Sequence, residues 1–188
     1  MNTRALFPLV LAAGTLLGAT AAVAGGAHTG GHGTQLEIGR PADATKATRT
    51  VNVVMKDNLY EPESVSVRTG ETIRFVIKNE GEFVHEFNIG TPAMHAAHQE
   101  EMMMMVEHGA LEPDKLNRAK MKMDMGGGKT MDHNDPNSVL LEPGESAEIV
   151  WTFTKTADLE FACNVPGHYD SGMVGKLSIK PQGGGKTS

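Results

Sequence analysis

The chain has 188 residues, a formal net charge of −6 at pH 7 and a single cysteine. This length is sufficient for one domain with its own hydrophobic core. The acidic balance argues against a protein that binds nucleic acid or an anionic membrane surface. The single cysteine excludes a fold that depends on intramolecular disulfides.

Residues 1–24 carry the three features of a secretory signal peptide. Arg4 supplies a positive charge, residues 5–19 are largely apolar, and Ala22-Val23-Ala24 fits the small-x-small rule for cleavage. The apolar stretch is too short to form a transmembrane helix. We therefore predict export to the periplasm, with no membrane insertion once the signal has been removed.

Residues 25–47 are rich in Gly, Ala and Thr and show no apolar period, which predicts a flexible leader. This leader contains His28 and His32, which form either a weak Cu(II) site or part of a polar tail. At the other end of the chain, residues 181–188 are predicted to form a flexible tail.

From residue 50 onward, apolar and polar residues alternate over six short segments, as in half-buried β-strands. Turns that contain Gly or Pro separate several of the segments. This pattern predicts an all-β protein with an antiparallel β-sandwich. The alternating positions are Val51, Val53 and Met55; Ile73, Phe75 and Ile77; Phe83, His85, Phe87 and Ile89; Ala147, Ile149, Trp151 and Phe153; Leu159, Phe161 and Cys163; and Met173, Gly175, Leu177 and Ile179.

Residues 91–137 interrupt the β pattern and hold nine of the twelve methionines and four of the eight histidines. Thr91-Pro92 predicts the start of a helix, and Gly109 predicts its end. At helical spacing, five side chains fall on one stripe. They either pack the helix against the sandwich or bind copper, since the spacing satisfies both. The five residues are Met94, His95, His98, Met102 and Met105.

The remainder of this insertion contains Gly126-Gly127-Gly128 and several lysines, and we predict that it is loosely structured. It has few other apolar residues, so copper binding is favoured over packing for its methionines. Thioethers are soft and uncharged, and they hold Cu(I) without having to lose a proton. The additional copper ligands predicted here are Met121, Met123, Met125, Met131 and His133.

A short segment near the C-terminus places the only cysteine, Cys163, together with His168 and Met173. A thiolate, an imidazole and a thioether form a mixed donor set that suits copper in both oxidation states. An exposed, unpaired cysteine in an oxidising compartment would be oxidised or cross-linked. A ligand role is therefore favoured over the alternative, an inert buried cysteine.

His85 is the candidate for a second imidazole ligand. Residues two apart on a strand share one face, and His85 has the parity of the apolar Phe87. Cys163 continues the inward series of Phe161, and Met173 begins another inward series. We therefore expect these donors to meet in a pocket that is shielded from water.

The spacing of the candidate ligands resembles that of the cupredoxins, the blue copper proteins. Four residues separate Cys163 from His168, four more separate His168 from Met173, and His85 lies on an earlier strand. The spacing is similar to that of auracyanin and is one residue longer between His and Met than in azurin. The resemblance implies a Greek-key β-sandwich over residues 48–180. It also implies copper, Cu(I) or Cu(II), with His85, Cys163 and His168 as in-plane ligands and Met173 as a weak axial ligand.

The sequence departs from the cupredoxin pattern at two positions. Glu86 follows the first histidine where many cupredoxins have Asn, and Val84 precedes it where azurin has Gly. With its Met/His-rich insertion at residues 91–137, the chain more narrowly resembles the copper-resistance cupredoxins of the CopI type.

The predicted function is a periplasmic copper-tolerance protein that binds copper at the main site and further copper on the Met/His-rich segments. The alternative is a soluble electron carrier with one copper ion per chain. An enzyme is disfavoured, because the His-x-His pairs of a trinuclear copper cluster are absent from the sequence. The expected partners are copper ions and a redox or copper-transfer protein.

Overall fold

The computed structural model describes residues 38–124, 130–132, 135–155 and 157–181. The strands are β1 (Arg40–Pro41), β2 (Arg49–Lys56), β3 (Leu59–Glu61), β4 (Ser64–Arg68), β5 (Thr72–Asn79), β6 (His85–Gly90), β7 (Lys122–Asp124), β8 (Thr130–Asp132), β9 (Ser138–Leu141), β10 (Ser146–Thr152), β11 (Leu159–Ala162) and β12 (Val174–Lys180). Helix α1 spans Pro92–Glu107, and short 3-10 helices span Ala44–Lys46 and Arg118–Lys120.

Ten of these strands form two five-stranded sheets that enclose one hydrophobic core. The strand order is β1-β10-β5-β2-β3 in one sheet and β4-β12-β11-β6-β9 in the other. The predicted β-sandwich is confirmed, but its antiparallel character is not complete. Strands β2 and β5 pair in parallel, as do β4 and β12. Alternation reveals the buried face of a strand but not the direction of its neighbour, so these pairings were not predictable.

Strand β6 is buried along its whole length. Its inward residues Phe87 and Ile89 join the core, where the rings of Phe87 and Phe161 stack with centroids 5.3 Å apart. Its outward residues Glu86 and Asn88 are buried as well, and α1 contacts both β6 and β11. Strand β6 therefore carries polar side chains that are shielded from water.

Helix α1 begins and ends where the sequence predicted. The Thr91 hydroxyl accepts a hydrogen bond from the Met94 backbone N–H at 3.3 Å, and Pro92 is the first helical residue. After the helix, Gly109 has a φ of +66°, the left-handed conformation that commonly ends a helix. Among the described residues, no helix has the length and apolarity required to cross a bilayer.

The segment that follows α1 is more ordered than the sequence predicted. Ala110, Leu111 and Leu116 are buried in the core, and Leu111 and Leu116 form an isolated antiparallel bridge. The Val84 backbone N–H donates a hydrogen bond to the Pro113 carbonyl at 2.7 Å, just before β6. The prediction of a loose segment is therefore wrong for residues 110–116. Two leucines do not form a periodic pattern in the sequence, but they are enough to anchor this segment to the core.

The fold also begins earlier than residue 48. Ile38 is buried, and its carbonyl accepts a hydrogen bond from Trp151 Nε1 at 3.2 Å. Strand β1 pairs with β10, with Pro41 opposite Trp151. Residues 38–42, which lie within the predicted flexible leader, thus pack on the first sheet. A two-residue strand is too short to show alternation, which explains the difference.

Candidate metal centre

Three donor side chains from distant parts of the chain come together in this fold. His85 is the first residue of β6, Cys163 directly follows β11, and His168 lies on the loop between β11 and β12. His85 Nδ1 and His168 Nδ1 are 3.2 Å apart, and Cys163 Sγ lies 4.0 Å and 3.4 Å from these two nitrogens, respectively. The three donor atoms all lie within 4.8 Å of one another, which is close enough for one metal ion.

Met173 closes the loop that carries these donors. It is fully buried, its backbone N–H donates to the His168 carbonyl at 3.0 Å, and its own carbonyl accepts from the Cys163 N–H at 3.1 Å. Gly167 and Gly172 have φ values of +85° and +93°, and these left-handed turns let the chain reverse within a few residues. The loop thereby holds Met173 beside Cys163.

Asp57 is a partner of His85 that the sequence analysis missed. Its Oδ1 lies 2.9 Å from His85 Nε2 and also accepts a hydrogen bond from the Glu82 backbone N–H at 3.0 Å. A side chain on Gly81 would collide with both Asp57 Oδ1 and His85 Nε2. A carboxylate on the outer nitrogen fixes the orientation of a ligating imidazole and raises its basicity. Asp57 therefore directs His85 Nδ1 toward Cys163 and His168.

Phe83 does not share the buried face predicted for it. Its exposed fraction is 44%, because β6 begins only at His85 and residues 81–83 form a bend. The alternation that correctly placed His85, Phe87 and Ile89 therefore does not extend to the residue before the strand.

Glu86, the departure noted in the sequence, is fully buried behind the three donors. Its backbone N–H donates to Cys163 Sγ at 3.3 Å. Its carboxylate accepts hydrogen bonds from the backbone N–H of Asn164 at 3.2 Å and from Asn164 Nδ2 at 2.8 Å. Ser138 Oγ also donates to it, and His98 Nε2 lies 2.9 Å from it. Glu86 thus connects β6, the residue after Cys163, β9 and α1.

The protonation of the two imidazoles suits a metal site, whereas the thiol must first lose a proton. Burial raises the pKa of the Cys163 thiol to about 12, with a further rise from the charge of Glu86, so copper must displace a proton to bind the thiolate. Burial lowers the pKa of both His85 and His168, in both cases against the opposing effect of the Asp57 charge. Both imidazoles are therefore neutral near pH 7 and can offer a lone pair. The residues present fit a copper ion.

The stripe of helix α1 has other contacts. Met102 and Met105 are buried in the hydrophobic core, and Met94 packs against it. His95 Nδ1 lies 3.2 Å from Asn164 Nδ2, and His98 lies between Glu86 and Glu101. Of the two alternatives that the sequence left open for this stripe, these contacts favour packing.

The remaining predicted ligands lie apart from the cluster or beyond the described residues. Met121 is partly buried and packs against the core. Met123 on β7 and Met131 on β8 are register partners in a two-stranded sheet. Outside the described residues lie Met125, His133, His28 and His32.

A two-sheet β-sandwich that brings one cysteine, two histidines and a buried methionine together is the arrangement of a cupredoxin. Residues 32–95 match the family model of a cupredoxin-like domain. The fold is similar to that of dithionite-reduced auracyanin from Roseiflexus castenholzii. That structure has a TM-score of 0.50 and 25% sequence identity, with 72% of this chain and 99% of the auracyanin chain covered.

The chain is also similar to two copper-resistant cuproproteins named CopI. The protein from Pseudomonas aeruginosa is 51% identical over 152 residues, which cover 77% of this chain and 83% of the relative. The protein from Rubrivivax gelatinosus is 41% identical over 188 residues, which cover 96% of this chain and 100% of the relative. The chain therefore belongs to the CopI family of copper-resistance cupredoxins, and its cofactor is copper. The resemblance seen in the sequence is confirmed.

Proposed function

We propose that this protein acts in the periplasm in copper tolerance, holding Cu(I) or Cu(II) with His85, Cys163 and His168 and with Met173 as a weaker fourth ligand. The observation that carries the proposal is the convergence of one thiol sulfur and two imidazole nitrogens within 4.8 Å. This donor set is compatible with both oxidation states of copper. The copper resistance named for the CopI relatives supports the tolerance role.

Each ligand is prepared for this role by its surroundings. Asp57 orients the imidazole of His85, and the Glu86 N–H contacts the sulfur of Cys163. His85, Cys163 and Met173 are fully buried, which keeps water away from three of the four proposed donors. Bound copper would supply one-electron chemistry, and a rigid, dry pocket limits the rearrangement that accompanies a change of oxidation state.

We further propose that additional copper binds outside the pocket, on the Met/His-rich segments. The density of soft donors supports this role, as does the register of Met123 opposite Met131. The leader histidines His28 and His32 are a second candidate for Cu(II). For the helical stripe, the contacts described above argue for packing instead. The residues proposed to hold additional copper in the insertion are Met121, Met123, Met125, Met131 and His133.

Electron transfer is the second candidate function, and one observation favours it. His168 is only partly buried, whereas His85, Cys163 and Met173 are fully buried. One ligand therefore reaches the surface and offers a route for an electron to a protein partner. A carrier needs one copper ion per chain, whereas a protein that sequesters copper on both kinds of site binds several.

Copper titration of the exported protein, followed by visible absorption and metal analysis, tests the main site. We expect an intense thiolate-to-copper band in the wild type and its complete loss in Cys163→Ala. Retention of the band in Cys163→Ala would refute the proposed ligand set. The same titration of wild type also decides between the two functions, because a total of one copper ion per chain favours the electron carrier.

The additional copper is tested by replacing Met121, Met123, Met125 and Met131 together with leucine, which keeps the apolar volume but removes the sulfur. We expect the visible band to remain and the copper beyond the first equivalent to fall. Met103→Leu is the matched control, since Met103 is a helical methionine with an exposed fraction of 48%. Unchanged copper content and unchanged growth on copper in the fourfold variant would contradict this part of the proposal.

A further inference from the structure

The buried carboxylate of Glu86 requires compensation from its surroundings. An ionised carboxylate that is removed from water is strongly destabilising unless it is paired and hydrogen-bonded. Glu86 is fully buried, and His98 Nε2 lies 2.9 Å from its Oε1. Helix α1, part of the insertion, thus supplies the cationic partner of a residue adjacent to a copper ligand.

The contact of the second ring nitrogen of His98 determines the protonation state of its imidazole. His98 Nδ1 lies 3.0 Å from Glu101 Oε2, so both ring nitrogens face carboxylate oxygens. An ionised carboxylate only accepts hydrogen bonds, and a neutral imidazole has only one N–H. The ring must therefore be doubly protonated to satisfy both contacts. A doubly protonated imidazole has no lone pair for a metal ion.

The connection from His98 reaches the ligand loop through Asn164. Glu86 Oε2 accepts hydrogen bonds from the backbone N–H and the side-chain Nδ2 of Asn164. The same Nδ2 lies 3.2 Å from His95 Nδ1, so the two N–H groups of this amide have one acceptor each. Asn164 directly follows Cys163 in the chain. Two histidines of one helix thus act on a single residue beside the thiolate ligand.

We propose that His98 and Glu86 form a buried brace through which helix α1 holds the Cys163–Met173 loop in the geometry that binds copper. In this arrangement His98 is a positioning residue and not a copper ligand. The inference rests on the proposed copper site. It gives the helical part of the insertion a task that is distinct from storing copper.

The variant His98→Gln tests the brace, with His108→Gln as the matched control. His108 is an exposed histidine at the end of the same helix, and its Nδ1 lies near the Met104 carbonyl. Loss of a group that hydrogen-bonds a metal ligand directly weakens metal binding about 10–100-fold, and His98 acts through Glu86, so the effect should lie toward the lower end of this range. We expect that loss of copper affinity at the main site in His98→Gln, with a shifted visible band and an unchanged total number of copper ions. The control should match wild type.

The copper-free protein gives a second readout, which is the rate at which a thiol reagent modifies Cys163. Cys163 is fully buried, so a loosened loop should increase this rate in His98→Gln but not in His108→Gln. Wild-type affinity, band position and thiol reactivity in His98→Gln would overturn the proposal. Loss of one copper equivalent with an unchanged main band would also overturn it, because His98 would then be a ligand.

The double variant Glu86→Gln/His98→Gln tests whether the two partners act together. Each single substitution leaves one buried partner uncompensated, whereas the double substitution removes both charges and leaves an amide oxygen at position 86 to accept from Asn164. We expect the double variant to lose less copper affinity than the two single losses combined. Additive losses would contradict the brace. Loss of the band in Cys163→Ala, in the same titration, separates failure of the brace from failure of the copper site.

Discussion

Histidine and methionine side chains serve different purposes in the ligand pocket and in helix α1. In the pocket, the Nδ1 atoms of His85 and His168 face each other and Cys163 Sγ. In the helix, the nitrogens of His98 face two carboxylates, and Met102 is enclosed by the core. A soft side chain can bind a metal only where its lone pair is free and other donors converge on the same point.

The same comparison separates two kinds of carboxylate. Asp57 contacts the outer nitrogen of His85 and leaves Nδ1 free, whereas Glu86 and Glu101 occupy both nitrogens of His98. One carboxylate thus prepares an imidazole for a metal ion, and two carboxylates prevent it from binding one. For His85 and His98, the number of carboxylates around the ring distinguishes the two roles.

Among the substitutions that test the difference between the pocket and the helix, Met102→Ala is expected to have the largest effect, which is on stability. Met102 is fully buried in the core, and removal of a buried methionine side chain destabilises a protein by about 2–5 kcal/mol. We expect the free energy of unfolding of the copper-free protein to fall by that amount, measured by denaturant unfolding. Met103→Ala, at an exposed position of the same helix, should have little effect. A copper count reduced by one in folded Met102→Ala would contradict the packing role.

A smaller effect is expected for Asp57→Asn, which removes the charge beside His85 but retains a side chain of the same shape. A neutral amide makes the imidazole less basic, so Cu(II) binding should weaken about 10-fold or more, while Cu(I) binding changes less. Competition titrations with chelators for each oxidation state measure both affinities. Glu148→Gln is the control, because Glu148 is an exposed acid that forms an ion pair with Arg74. Equal losses for Cu(I) and Cu(II) would contradict the role of the charge.

The smallest effect is a difference between two pH profiles of stability. Burial disfavours the charged form of His98, but the charges of Glu86 and Glu101 raise the pKa of His98 to about 10. Burial also disfavours the charged form of Glu86, but the pairing with His98 lowers the pKa of Glu86 to about 2. The contribution of His98 is thus complete below pH 6.5 and is lost as the pH rises through about 10. The contribution of Glu86 is complete above pH 4.5 and is lost as the pH falls toward about 2.

Unfolding of the copper-free protein by denaturant, from about pH 6 to about pH 10, measures the histidine part of this prediction. The free energy of unfolding should decrease across the range more steeply in wild type than in His98→Gln. Parallel profiles for the two proteins would show that His98 is not the charged partner of Glu86.

The convergence of the proposed ligands could be predicted from the sequence because each of them follows a short-range rule. Cys163, His168 and Met173 lie within one loop, and the parity of β6 placed His85 on the inward face. The start of α1 was equally local, since Thr91 caps the helix through a neighbour three residues away.

The supporting residues were not predictable because their contacts join distant parts of the chain. Asp57 lies 28 residues from His85, and Glu86 lies 78 residues from Asn164. Glu86 has the outward parity of β6, and alternation alone cannot show whether a side chain at such a position is buried. That face is covered only because the helix of the insertion packs there, and a strand pattern contains no information about what lies over the sheet.

X-ray absorption at the copper edge, on protein loaded with one copper ion per chain, tests the central claim most directly. We expect one short copper–sulfur distance, close to the about 2.3 Å of a zinc–thiolate bond, and two copper–nitrogen distances close to the about 2.0–2.1 Å of zinc–imidazole bonds. The short copper–sulfur distance should be lost in Cys163→Ala. A first copper ion surrounded only by nitrogen and oxygen, or only by thioether sulfur, would contradict the assignment of His85, Cys163 and His168 to one site.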